Sequence, residues 1–362
     1  MWWTEVLRLL DFEVKSSVHD YEVKFVENIP DVLKNEICDC DVIVIDNKVK
    51  DLYPDLLKDI NNNTSVIGLD AHEEQKSYEG LIPIIQKLIH NGFKKNHRLI
   101  GIGGGIIQDV TAYTASIMYR GVKWVFFPTT LLAQGDSCIG SKTSINFGKY
   151  KNQVGGFYPP NKIYINLDFL GTLSKVDIQS GLGEMSHYFV VAGDKDFKEY
   201  KHDYENVFSD NNVLAKMISN SLKIKKSYIE IDEFDRRERQ VFNYGHSFGH
   251  AIESLKDFSV PHGIAVSFGM DMANYISVRK NYLSRDIRYE IRELLEKIWS
   301  GFDIKDLDLE KFVEVLSKDK KNVGKDLRLI LCKGYGKVFK TAQSLDDEFL
   351  GWLNDYFSNE LN

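Results

Sequence analysis

Apolar and polar positions fall into two regimes along this 362-residue chain. Up to about residue 168, short continuous apolar runs recur between polar or glycine-rich turns. Asp41-Val-Ile-Val-Ile-Asp46, Ser65-Val-Ile-Gly-Leu69, Arg98-Leu-Ile-Gly-Ile102, Lys123-Trp-Val-Phe-Phe127 and Lys162-Ile-Tyr-Ile-Asn166 have this form. Such runs mark parallel strands buried on both faces. Weak alternation at Phe12-Glu-Val14 and Tyr21-Glu-Val23-Lys-Phe25 predicts edge strands within the first thirty or so residues. A helical pattern runs from Tyr78 to about Gly92, and another starts near Ile106. Beyond Asp168 the strand signature fades. Helical periodicity then covers 176–193, 211–230, 235–256, 263–280, 284–299 and 346–358, with one short strand at Leu327-Arg-Leu-Ile-Leu331. The pattern predicts a doubly wound, Rossmann-like α/β domain over 1–168 and an all-α or mostly helical C-terminal domain over 169–362.

Composition narrows the class. Hydrophobic residues make up 43% of the chain and charged residues 27%, as in globular proteins. No apolar run approaches the roughly 18 residues needed to span a bilayer. The start, Met-Trp-Trp-Thr-Glu, lacks the basic and apolar regions of a signal peptide. Four scattered cysteines (Cys38, Cys40, Cys138, Cys332) form no disulfide framework, which suits a reducing compartment, and the expected location is the cytoplasm. A net charge of −7 argues against nucleic-acid binding and leaves room for a local basic pocket.

Three stretches carry candidate chemistry. Gly103-Gly104-Gly105 lies between a strand and a helix bearing Asp109, where glycines let the backbone approach a pyrophosphate at a helix N-terminus. The segment from Asp136 to Asn152 is expected to be a polar, glycine-spaced loop, and its Lys142, Lys149 and Lys151 suit a phosphate or carboxylate. In Asn243-Tyr-Gly-His-Ser-Phe-Gly-His250, His246 and His250 are four apart, so a helix puts them on one face. A third histidine follows at His262, and Glu184 stands well upstream. Imidazoles with a carboxylate suit a zinc ion that keeps a coordination position open, although a His-x-x-x-His spacing alone also fits surface or core histidines.

Taken together, these segments resemble 3-dehydroquinate synthase and its sister sugar-phosphate cyclases, from about Asp46 to Leu331. The shared pattern is Gly103-Gly-Gly-Ile-Ile-Gln-Asp109, Arg120-Gly121, Pro128-Thr-Thr-Leu-Leu-Ala-Gln134, Asp136 six before Lys142, Lys151-Asn152 and Glu184. It continues with Lys225 seven before Asp232-Glu233, then Arg239, Asn243-x-Gly-His246-x-x-Gly-His250, His262-Gly263 and Asp319-Lys320-Lys321.

The resemblance implies zinc, or cobalt, on Glu184, His246 and His262. It implies NAD across Gly103, Gly104 and Gly105, touched by Asp46, Glu73, Lys76, Asp109, Thr129, Thr130 and Thr172. Lys142, Lys151, Asn152, His250, Lys320 and an Arg120 crossing from a neighbouring subunit of a homodimer would hold a phosphate. Lys225 and Arg239 would hold a carboxylate, while Asp136 and Asn243 would position hydroxyls. The implied reaction is transient oxidation by NAD, phosphate elimination, re-reduction and intramolecular aldol closure. Retention of Lys225, Arg239 and Asn243 favours an acidic 3-deoxy-heptulosonate phosphate over a neutral sugar phosphate, since an arginine fork matches a carboxylate.

Departures from the pattern lie around the substrate. Glu-x-x-Lys becomes Glu184-Met-Ser-His187, so His187 occupies a position expected to be catalytic lysine, and His-Gly-Glu becomes His262-Gly-Ile264. They keep open a cyclase for another sugar phosphate and a nucleotide-sensing or scaffolding protein without turnover. A metal-dependent polyol dehydrogenase shares the glycine triplet and metal ligands, but has little use for Lys142, Lys151, Lys225 and Arg239.

Overall fold

The structure, a computed structural model, describes residues 2–38, 40–61, 64–148, 150–318 and 326–361. The chain forms two compact units, Met1–Leu173 with Asp210–Phe234, and Ser174–Ser209 with Asp235–Asn362.

The first unit is built on strands β1 (Phe12–Val14), β2 (Tyr21–Phe25), β3 (Val42–Asp46), β4 (Ser65–Leu69), β5 (Leu99–Gly103) and β6 (Trp124–Pro128). A hairpin, β7 (Lys142–Phe147) and β8 (Tyr150–Phe157), precedes β9 (Lys162–Ile165). The main sheet has the order β1-β2-β9-β6-β5-β3-β4, and every pairing except β1 with β2 is parallel. Each residue of β5 and β6 is buried, which explains their unbroken apolar sequence. One face rests on Ile29, Leu33, Val49 and Leu56 from flanking segments, packed over Ile43, Ile45, Ile100, Ile102, Val125 and Phe127. From β3 the chain steps outward to β4, then returns to the other side of β3 as β5. That reversal puts Asp46 and Gly103 at the carboxyl ends of neighbouring strands, where open α/β sheets bind ligands.

Two expectations for this unit change. Trp2–Arg8 is a helix, with Glu5 in its first turn and Arg8 in its last, each favourably placed against the helix dipole. Residues 142–157 form a hairpin and not a loop. Thr143, Ile145 and Asn146 are buried while Lys142, Ser144 and Phe147 are more exposed, and the polar composition hid that half-buried pattern.

The second unit is helical. Helix 175–192 starts from a capping box between Ser174 and Asp177. Helix 262–279 packs on helices 175–192, 246–255 and 285–298. Its residues Gly263 to Ser277 are all buried, so the helix is enclosed on every face. Its buried Asp271 is neutralised by Arg288, at 3.0 Å, and Arg292, at 3.1 Å. The strand expected at 327–331 is β10 (Asp326–Cys332), and it pairs with β11 (Val338–Ser344), so the unit is not wholly α. The helix expected over 235–256 breaks in two. A 3₁₀ segment covers Glu238–Asn243, and an α-helix begins only at His246. Gly245 between them has φ +84°, a left-handed conformation that ends one helix and opens the next.

Candidate metal and cofactor sites

In the second unit, three helices each bring one candidate metal ligand to a common point. Glu184 lies midway along helix 175–192, while His246 and His262 are the first residues of their own helices. Glycines beside the ligands permit the approach: a Cβ on Gly183 would collide with the carbonyl oxygen of Gly263, and one on Gly263 with that of Ser180. Glu184 Oε1 lies 3.4 Å from His246 Nε2, and Oε2 lies 3.4 Å from His262 Nε2. One ligand atom from each residue falls within 4.8 Å of the others.

The donor set fits a divalent cation. Glu184 Oε2 is buried and has no hydrogen-bond partner among the described residues, a costly state that an ion would relieve. His262 Nδ1 lies 3.0 Å from Glu253 Oε2, and His246 Nδ1 lies 3.3 Å from the Tyr244 carbonyl oxygen. With protons on Nδ1, both rings turn an Nε2 lone pair towards Glu184. Burial pushes the His246 imidazole down, towards its neutral form, and outweighs the pull of Glu184. Burial alone would raise the Glu184 carboxyl, but His246, His187 and His262 hold it well below the usual range. A carboxylate and neutral imidazoles are the forms in which such a set would bind metal.

Glu253 was not singled out from the sequence. Its spacing could have shown it, for it stands three after His250 and seven after His246, on the same helical face. The His250 ring is exposed and close to both neighbours, 5.5 Å from His246 and 5.6 Å from His262 between centroids. It forms a group with Glu253 and His262, and not with Glu184. Arg239 is buried in the 3₁₀ segment, and Asn243, at the segment's end, donates to the Gln240 carbonyl oxygen at 3.1 Å. His187 is buried one turn past Glu184, with Nε2 3.2 Å from Glu184 Oε1.

In the first unit, Gly103 ends β5, Gly104 caps helix 105–117 and Gly105 starts it. A Cβ on Gly104 would touch the Thr130 methyl at 3.0 Å, and the Thr129 amide donates to the Gly103 carbonyl oxygen at 3.0 Å. The triplet and the Thr129-Thr130 turn are thus one surface. Lys76 Nζ pairs with Asp109 Oδ2 at 2.6 Å. The hairpin closes over them: Asn146 donates to Glu73 Oε1 at 2.8 Å, Lys151 lies 3.8 Å from the same atom, and the Asn152 amide donates to Asn146 at 2.9 Å. Lys142 opens β7 and is exposed. Asp46 caps helix 47–52 through the Lys48 amide, at 2.9 Å.

Thr172 Oγ1 lies 3.0 Å from the Tyr53 hydroxyl. Tyr53 in turn lines a cavity of about 710 Å³ with Asn166 and Asp168, none of which the pattern marked. Lys225, on helix 211–229, is buried and donates to Asp136 twice, to Oδ1 at 2.7 Å and to the carbonyl oxygen at 2.8 Å. Arg120 is exposed, with φ +66° after Tyr119 at φ +50°. Lys149 and Lys320 lie outside the described residues.

Known proteins match this chain in sequence and in fold. The family models for the 3-dehydroquinate synthase N-terminal and C-terminal regions match residues 66–180 and 181–322. The 3-dehydroquinate synthase of Dictyoglomus turgidum is 36% identical over 277 residues, covering 76% of this chain and 78% of that protein. A bifunctional 3-dehydroquinate synthase/phosphatase of Fusobacterium nucleatum is 32% identical over 342 residues, 92% of this chain, and the chain spans 51% of its length. Among solved structures, 2-deoxy-scyllo-inosose synthase complexed with carbaglucose-6-phosphate, NAD+ and Co2+ has the same fold. Its TM-score is 0.85 at 22% identity, over 96% of this chain and 99% of that one.

Proposed function

The chain belongs to the 3-dehydroquinate synthase family, and on that premise we propose that it is a cyclase converting 3-deoxy-D-arabino-heptulosonate 7-phosphate to 3-dehydroquinate and phosphate. The observation that carries this reading is the buried Glu184 Oε2, without a hydrogen-bond partner among the described residues, beside His246 and His262, in a chain with relatives at 32–36% identity named as 3-dehydroquinate synthases. Glu184, His246 and His262 would hold zinc or cobalt, and the Gly103–Gly105 surface would hold NAD. When bound, the metal polarises a substrate hydroxyl and the dinucleotide takes up and returns a hydride, so phosphate is lost without net oxidation.

The chain's own residues then bind and orient. In the first unit, Lys142, Lys151 and Asn152 present donors for a phosphate, and buried Lys225 offers its charge to a carboxylate. Its tether to Asp136 fixes both side chains before substrate arrives. In the second unit, buried Arg239 supplies a planar fork for a carboxylate, Asn243 an amide for a hydroxyl and exposed His250 a donor for phosphate. Glu253 holds His262 in the tautomer that leaves Nε2 bare. We further propose a homodimer in which Arg120 reaches the partner's site. Exposed Ile117 and Tyr119 beside it support a contact surface there.

The test is phosphate release by the purified protein with NAD and zinc, while NADH absorbance is followed. Release from the acidic heptulosonate phosphate alone, without net NADH, is expected. Release only from glucose 6-phosphate or sedoheptulose 7-phosphate would move the assignment to a sister cyclase, the reading that the departures at His187 and Ile264 keep open. Net NADH would overturn both in favour of a dehydrogenase.

A further inference from the structure

His187 stands where the family pattern leads one to expect a lysine close to substrate, yet its side chain is sealed from solvent. Three residues after Glu184, it shares that residue's helical face. Its ring is packed against Tyr188, 4.0 Å between centroids, and Phe242, at 5.7 Å. Nε2 meets Glu184 Oε1 at 3.2 Å, and Nδ1 is buried with no hydrogen-bond partner among the described residues. A proton on Nε2 makes the contact to Glu184 a hydrogen bond and leaves Nδ1 without a proton to satisfy. His246 Nε2 also lies near Oε1, at 3.4 Å, but it cannot donate to that oxygen while its lone pair holds a metal. His187 is then the donor left for Oε1.

We propose that His187 is a positioning residue for the metal: its Nε2–H occupies Glu184 Oε1, so that Oε2 alone is presented to the ion held by His246 and His262. The carboxylate is thereby fixed as a one-oxygen ligand. With Nε2 engaged by Glu184 and Nδ1 enclosed, the ring has no donor to offer substrate, so in this chain the position serves the metal and not the sugar.

The test uses the full chain, stripped of metal and titrated with Co2+ and with Zn2+ in competition with a chromogenic chelator. Wild type is compared with His187→Gln, which keeps a donor near Nε2, and with His187→Leu, which keeps bulk and removes the donor. Melting of each metal-free protein and the visible spectrum of each Co2+ form are recorded. The Gln variant is expected within about threefold of wild type in affinity, and the Leu variant to bind about 10–100-fold more weakly. The Leu variant's Co2+ spectrum should also change, while its metal-free melting stays at or above that of wild type. Wild-type affinity and spectrum in the Leu variant would overturn the proposal. So would equal losses in both variants that follow their losses in melting temperature, since packing would then explain them. If the Leu variant does not fold, His187→Phe replaces it under the same criteria. The inference rests on the metal reading, and a wild-type protein that takes up neither ion would overturn that reading as well. Tight wild-type binding with an unaffected Leu variant would remove only the role of His187.

Discussion

Gly183 and Gly263 touch across two helices, so closely that a Cβ on Gly183 would strike the carbonyl oxygen of Gly263. Each is the chain neighbour of a proposed metal ligand, Glu184 or His262. The distance between those ligands is therefore set by the missing side chains beside them. Gly183→Ala should force the helices apart and cost about 1–3 kcal/mol of stability through overpacking. Metal affinity should fall with it, because the ligands separate. Thermal melting with a Co2+ titration checks this, and full stability with full affinity would refute it.

Glu253→Gln makes a different demand. The amide oxygen can still accept the Nδ1–H hydrogen bond but carries no negative charge, so His262 loses its charge-assisted partner. Metal affinity should drop about 10–100-fold with little change in the melting of the metal-free protein. Chelator competition measures the first quantity and calorimetry the second.

Lys225→Met would remove from Asp136 the ammonium that now lies 2.7 Å from its Oδ1. The Asp136 side chain keeps 15% exposure, so the loss should sit near the lower end of the roughly 3–5 kcal/mol seen when one partner of a buried pair is removed. In turnover, KM for an acidic sugar phosphate should rise more than KM for a neutral one. Equal changes for the two substrates would count against a carboxylate-binding role.

A pH dependence is expected from the amino ends of the strands, far along the sheet from the glycine triplet. Burial would raise the Glu36 carboxyl, but Tyr164, Lys162 and Arg98 donate to it and hold it below its ordinary value of 4.5. Arg98 also bridges to Asp41, so one cluster ties the starts of β3 and β5 to β9. The carboxylate is favoured by folding. Its stabilisation is present above the unfolded value and is lost as pH falls through the lower, folded one. Glu36→Gln should lower stability at pH 7 by roughly 1–3 kcal/mol and flatten the fall in melting temperature on acidification. A variant with the wild-type acid profile would show that the cluster contributes nothing.

How much of this was legible in the sequence depends on where the information sits. Ile43, Ile100 and Phe126 announce their strands because both faces are buried, and the apolar run needs no partner to be recognised. The hairpin at 142–157 was hidden because its polar composition concealed the buried alternation of Thr143 and Ile145. The break at Gly245 was hidden because helical periodicity continues through it. Only the close approach of Val266 and Met270 to that glycine explains the turn. The histidines could be found by spacing and resemblance, whereas the pairing of Lys225 with Asp136 joins residues 89 apart and leaves no local trace.

The Asp210–Phe234 segment has a consequence for how the chain is made. The first unit is interrupted by residues 174–209 and completed only by helix 211–229, the element that carries Lys225. During synthesis the sheet emerges without that helix, and the chain has already spelled out helix 175–192, with Glu184, before the helix arrives. Cutting the gene after residue 173 would therefore yield a first unit without the helix that carries Lys225. The two units are interleaved along the chain, and neither can be lifted out as a continuous piece.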